Sequence, residues 1–190
     1  MSAFENITSK IAEKNAELES LKKKYMQELQ GEFSEIIKLF FEECPKVQAV
    51  VWTQYTPYFN DGDECIFSVN EPYFVVEGFD PENLEDPYGY EDEAYSTLKI
   101  PNRSNWDEDI ENDRNYLKNR PHDNWAQGYY PKHIAALEEA KINFPGYDVK
   151  IKAFADLLNE NEDMLHEVYG DHSAVYLTPG EVIVEEYSHD

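Results

Sequence analysis

Apolar residues in the N-terminal stretch recur three, four or seven positions apart: Ile7, Ile11, Leu18, Leu21, Tyr25, Leu29, Phe33, Ile36, Ile37 and Phe40. Side chains at these intervals share one helical face, so the spacing predicts a helix over residues 4–43. Lys22, Lys23, Lys24 and scattered Glu residues supply its solvated face. The first half of the stripe is narrow and flanked by charge, as an exposed coiled-coil seam is. The second half, FSEIIKLFF, is broader and suits packing on a body. Gly31 is a point where the helix is expected to bend or divide. Pro45 ends it by disfavouring a helical conformation at Cys44. A helix this long suggests self-association, and packing back along its own domain is the alternative.

The period then changes from helical to alternating. Residues 47–59, VQAVVWTQYTPYF, are β-branched and aromatic and read as a strand; residues 65–76, CIFSVNEPYFVV, read as its partner. Pro72 places that end of the second run at a sheet edge or a bulge. Between the two lies Asn60-Asp61-Gly62-Asp63, residues that tolerate the left-handed conformations of hairpin turns. Further on, Pro131 is expected to open a helix, PKHIAALEEAKINF, that Pro145-Gly146 ends. Residues 148–168 read as one more helix, stopped by Gly170. In the tail SAVYLTPGEVIVEEY, two β runs flank Thr178-Pro179-Gly180-Glu181, and Pro-Gly is the type II turn signature. A type II turn splays a tight hairpin, so a loop wider than two residues is expected there. Two hairpins with helices packed on them predict an α+β domain over 46–190, with an antiparallel sheet of about four strands, behind an N-terminal helical segment at 1–45.

Charge changes this picture in one region. The chain carries 40 acidic and 16 basic residues, a net charge of -24. Residues 60–125 hold 18 acidic and 5 basic side chains. From 77 to 125 the sequence is acidic, proline-punctuated and without periodicity, yet it contains Tyr88, Tyr90, Tyr95, Trp106, Tyr116 and Trp125. Those aromatics argue for an ordered insertion with short helices rather than a disordered linker. The negative charge repels nucleic acid and anionic membranes, and favours a basic protein surface or bound cations. No apolar run approaches the ~18 residues needed to cross a membrane, and MSAFENITSK is not a secretory signal. Cys44 and Cys65 form no CxxC pair and are too few for a disulfide framework. A reducing, cytoplasmic setting with free thiols is the expectation.

Candidate chemistry is sparse. In FNDGDEC an EF-hand would place its first ligand at Pro57 and its twelfth at Ser68, which fails. The acidic turn therefore reads first as a hinge, with the flanking Trp52, Tyr55, Tyr58 and Phe59 available to line a pocket at its end. In HEVYGDH, His166 and His172 are six apart with Gly170 between them, so the two-histidine zinc helix fails too. There is no GxGxxG, P-loop or GxSxG, and carboxylate pairs are too common to discriminate. No catalytic, metal or cofactor site is assigned.

The stretches WTQYTPYFNDGDECIFSV and GDHSAVYLTPGEVIVEEYSHD resemble small acidic proteins, without an assigned activity, of large tailed bacteriophages and some bacteria. The resemblance covers the two hairpins, carries over no functional residue, and implies an accessory role that blocks or sequesters a host component. Taken with the charge, the expected function is a non-enzymatic acidic binding protein. Its surface would draw on Trp52, Tyr55, Tyr58, Asn60, Asp61 and Asp63 at the hinge, and on Tyr88, Tyr90, Trp106, Asp107 and Asp109 in the insertion. It would dock on the basic surface of a nucleic-acid-binding protein, as a homodimer through the N-terminal helix. The alternatives are a nucleotide-type sponge using Arg103, Arg114, Lys118 and Arg120, and a cation-dependent hydrolase.

Overall fold

The computed structural model describes residues 3–59, 62, 64–82, 84, 99–100 and 105–188, with backbone alone at 3–5 and 99–100. The chain divides into two compact units, residues 1–38 and 39–190. The boundary falls inside the first helix rather than after it. The helix's last turn belongs to the second unit because Phe40, Phe41 and Cys44 are buried there. That helix, α1 (Ala3–Glu43), runs unbroken through Gly31, where a bend was expected. None of the described helices is long and apolar enough to cross a membrane.

The fold of the second unit is α+β. Its strands are β1 (Ala49–Tyr55), β2 (Ser68–Val69), β3 (Tyr73–Val75), β4 (Lys99–Ile100), β5 (Ser173–Leu177) and β6 (Val182–Glu186). They form one sheet in the order β4-β3-β1-β5-β6, with β2 beside β1, and every pairing is antiparallel. Both hairpins expected from the sequence are present, and they join through the β1–β5 pair. Pro72 sits where a bulge was expected. Val51 pairs with Tyr73 and Gln54 with Val69, so three steps along β1 meet four on the opposite chain.

Strand alternation sorts the core into two layers. Val50, Trp52, Phe74, Val175 and Leu177 share one face of the sheet. Over that face lie α4 (Tyr147–Glu160), α5 (Glu162–Tyr169) and the end of α1. Phe40 packs on Phe154 at 4.6 Å and on Phe74 at 5.7 Å between ring centroids. Trp52 meets Tyr169 edge-on at 5.8 Å. The opposite face holds Ala49, Val51, Val75, Ala174 and Tyr176, closed over by Tyr187, Phe79 and Leu84. The single helix expected at 148–168 is two. Asn161 breaks it, its side chain taking the Leu157 carbonyl at 2.7 Å in place of helical continuation.

The final hairpin turns through Thr178–Glu181, and Gly180 is not left-handed. The type II signature is therefore not realised. The Thr178 hydroxyl replaces it, accepting from Gly180 N–H at 3.2 Å and Glu181 N–H at 3.0 Å. The first hairpin is wider than a tight turn. Pairing stops at Tyr55–Ser68, and Gly62, between the two strands in sequence, is left-handed, at φ +99°. The sheet ends there because Thr56 N–H donates to Asp171 Oδ1 at 2.7 Å and Pro57 has no donor.

Candidate functional site

The sequence between the two hairpins builds a helical pair, α2 (Trp106–Asn119) and α3 (Asn124–Asn143). Asn105 caps α2, accepting from Glu108 N–H at 3.2 Å, and Asp107, Glu108 and Asp109 fill its first turn. Carboxylates suit that end because the helix dipole is positive there. Asp123 caps α3 by accepting from Ala126 N–H at 3.0 Å. The helix expected to open at Pro131 therefore begins at Asn124. Pro131 lies inside it, where it offers no N–H to the Gln127 carbonyl.

The earlier start places Trp125, Tyr129 and His133 four apart, on one face. Trp125 stacks on Tyr129 at 5.1 Å and 7°, and Tyr129 on His133 at 5.6 Å and 23°. Tyr130 meets Tyr129 edge-on at 5.3 Å and reaches across to Tyr116 of α2 at 4.7 Å. Arg120 lies 4.7 Å from the centre of the Tyr116 ring and bonds its hydroxyl. At the inner end His133 Nδ1 meets Asp113 Oδ2 at 2.7 Å. Burial, Tyr116 and Asp113 together hold the Tyr130 phenol above its ordinary value. The outer end is open: Trp125 is 64% exposed and Tyr129 41%. This is a column of flat rings at the end of the helical pair away from the acidic first turn of α2, anchored at its inner end by the His133–Asp113 contact.

A second aromatic group sits at the wide end of the first hairpin. Tyr58 stacks on His172 at 4.5 Å and 14°, and Tyr55 follows at 6.3 Å and 25°. His172 takes φ +51°, a left-handed backbone that non-glycine residues rarely adopt. Its Nδ1 is buried and has no hydrogen-bond partner among the described residues. Neighbouring Asp171 is pushed up by partial burial. Hydrogen bonds from Thr56 and from His172 N–H, with the His172 charge, outweigh that and hold it below the ordinary carboxylate value.

The residues picked from sequence divide accordingly. Tyr55 and Tyr58 come together with His172. Trp52 does not join them. It is fully buried on the opposite face of β1, with its Nε1–H bonded to Gln54, so it cannot line a pocket with Tyr55. Trp106 is also core, facing inward with Ile110 one turn on. Asp107 pairs with Lys141, and Asp109 lies in the capped first turn. Arg114 is held by Glu138 and Arg120 by Tyr116, on the helical pair. Asn60, Asp61, Asp63, Tyr88, Tyr90 and Arg103 lie outside the described residues. Tyr129, Tyr130 and His133 were missed. The signal that finds them is the Asp123 cap, which sets the helical phase of everything after it. Among the described residues no three His, Cys, Asp or Glu side chains gather as a metal site requires. Comparison with protein-family models, curated proteins and solved structures finds no match to this chain.

Proposed function

We propose that this chain is a non-enzymatic binding protein that blocks or sequesters a basic protein surface of the kind that grips nucleic acid. The observation that carries the reading is the open Trp125–Tyr129 stack on α3, in a chain of strong negative charge. Large aromatics left in water on a rigid helix are the usual anchors of protein interfaces, each contributing about 2–4 kcal/mol when truncation removes it. The chain's excess of carboxylates steers a basic partner towards it and repels competing acids. A net charge of -24 extends that attraction beyond the contact itself. The resemblance of the two hairpins to phage proteins fits a host component, within the host cytoplasm, as the target.

The test is capture by the tagged protein from its native cell at low and at high salt, with mass spectrometry of the proteins and small molecules retained. A basic, nucleic-acid-binding protein held at low salt and released at high salt is expected. Retention that is indifferent to salt overturns the electrostatic part of the reading. A second reading rests on the Tyr58–His172 stack with its buried Nδ1, a place for one flat polar ligand. It predicts a stoichiometric small molecule retained without a protein, and lost in Tyr58→Ala.

A further inference from the structure

The first unit carries a surface that this reading does not use. Along α1, Ile7, Ile11, Leu18, Leu21 and Tyr25 are each between 51% and 65% exposed. Scattered apolar residues on a surface need no explanation. These five do, because they occupy one phase of a seven-residue repeat. The positions 4, 7, 11, 14, 18, 21, 25 and 28 alternate by three and four, and six of the eight are apolar. The two exceptions are Lys14 and Glu28. Three and a half heptads of this kind, spanning about 36 Å at 1.5 Å per residue, are the length at which a coiled-coil seam becomes credible.

The charge distribution names the occupant. Residues 1–38 hold seven acidic and six basic side chains, a net of -1, whereas residues 39–190 hold 33 acidic and 10 basic, a net of -23. A basic partner is drawn to the second unit. The nearly neutral helix is where two copies of so acidic a chain approach without repulsion.

We infer that a second copy of this chain covers the α1 stripe, as an antiparallel two-stranded coiled coil over residues 4–28. Parallel alignment would set Lys14 against Lys14 and Glu28 against Glu28 in the seam. Antiparallel alignment centred between residues 14 and 18 sets Ile7 against Tyr25, Ile11 against Leu21 and Lys14 against Leu18. Every layer then has at least one apolar member, and Lys14 lies beside Glu17 of the other copy. That carboxylate is the one it already meets within its own helix at 2.6 Å. The arrangement also keeps the two helix C-termini, and the acidic chains that follow them, at opposite ends. A buried lysine of this kind sets register at a cost in affinity. Dimerisation doubles the aromatic surface and gives bivalent capture.

The test is sedimentation equilibrium of the full chain. A dimer is expected for the native sequence. Leu18→Asp with Leu21→Asp should raise the dissociation constant by roughly 100-fold or more, since each burial loss is worth about tenfold. Near-UV circular dichroism of the double variant, unchanged, confirms that the second unit remains folded. Lys14→Leu should tighten association by about tenfold. In a Cys65→Ser background, Ile7→Cys and Tyr25→Cys chains should crosslink when mixed and not when separate. A monomeric native chain, or a dimer indifferent to both seam variants, overturns the inference. Crosslinking of each cysteine variant alone overturns the antiparallel assignment.

Discussion

Gln54 is the residue on which the β-sheet and the segment ahead of β5 most depend. It lies on the helix-facing side of β1, fully buried. Its Oε1 accepts from Trp52 Nε1–H at 3.1 Å, while its Nε2 donates to the Leu165 carbonyl at 3.1 Å and the Gly170 carbonyl at 2.6 Å. Leu165 lies one turn from the end of α5, where its carbonyl also has the helical N–H of Tyr169, and Gly170 is the residue that caps the helix. One amide therefore ties β1 to the end of α5 through three bonds. Gln54→Leu keeps the volume and removes all three bonds. A buried donor or acceptor left alone costs about 1–3 kcal/mol. The indole N–H counts in full, the partly exposed Gly170 oxygen counts for less, and the Leu165 oxygen, which keeps its helical bond from Tyr169, counts for little. The greater apolarity of leucine returns about 1 kcal/mol. The expected loss is about 1–3 kcal/mol. At about 3 °C per kcal/mol for a unit of this size, the melting temperature falls by roughly 3–9 °C. Urea unfolding followed at 222 nm, with an unchanged m-value, is the assay. No loss, or a gain in stability, would refute the claim that this amide ties β1 to the end of α5.

Three further outcomes follow from named groups. Burial pushes the Cys44 thiol up to about 11 from 9.0, so the folded chain holds that proton where the unfolded chain has lost it. The stabilisation is complete below pH 9 and is lost as pH rises towards 11, a change of about 2–3 kcal/mol that Cys44→Ala should largely abolish in urea titrations at pH 8 and 11. Tyr169, pushed up to about 12 by burial, acts in the same direction at still higher pH. A thiol reagent applied to the native protein should modify Cys65 and spare the buried Cys44; equal labelling of both would contradict the packing. Gly146→Ala, at φ +77°, should cost about 1–2 kcal/mol by calorimetry, whereas Gly180→Ala, in open space without a left-handed backbone, should be within about 0.5 kcal/mol of neutral.

The sheet and the first helix were legible because their signals are periodic. Heptad-like spacing marked α1, and β-branched runs around Asn-Asp-Gly and Pro-Gly marked the hairpins. Strand alternation, carried one step further, separates Trp52 from Tyr55, since residues an odd number apart face opposite ways. The break at Asn161 was not legible, because Glu160-Asn161-Glu162 is compatible with helix until the asparagine side chain competes for a backbone carbonyl. The start of α3 was misplaced for a related reason. Proline is common at the first turn, so Pro131 outweighed the Asp123 cap eight residues earlier. The aromatic column went unseen with it, because its phase depends on that cap. The aromatic content of residues 77–125 did not tell which rings are core, as Trp106 is, and which are open, as Trp125 is.

The most direct test of the central claim is paired capture with two baits at one low salt concentration. One bait is the native chain, and the other carries Trp125→Ala and Tyr129→Ala, an exposed pair whose removal leaves the caps of α2 and α3 intact. Partner recovery, quantified by mass spectrometry against equal bait, should fall at least 30-fold in the variant, as loss of two interface anchors requires. Equal recovery of the same basic partner from both baits would contradict the assignment of this surface.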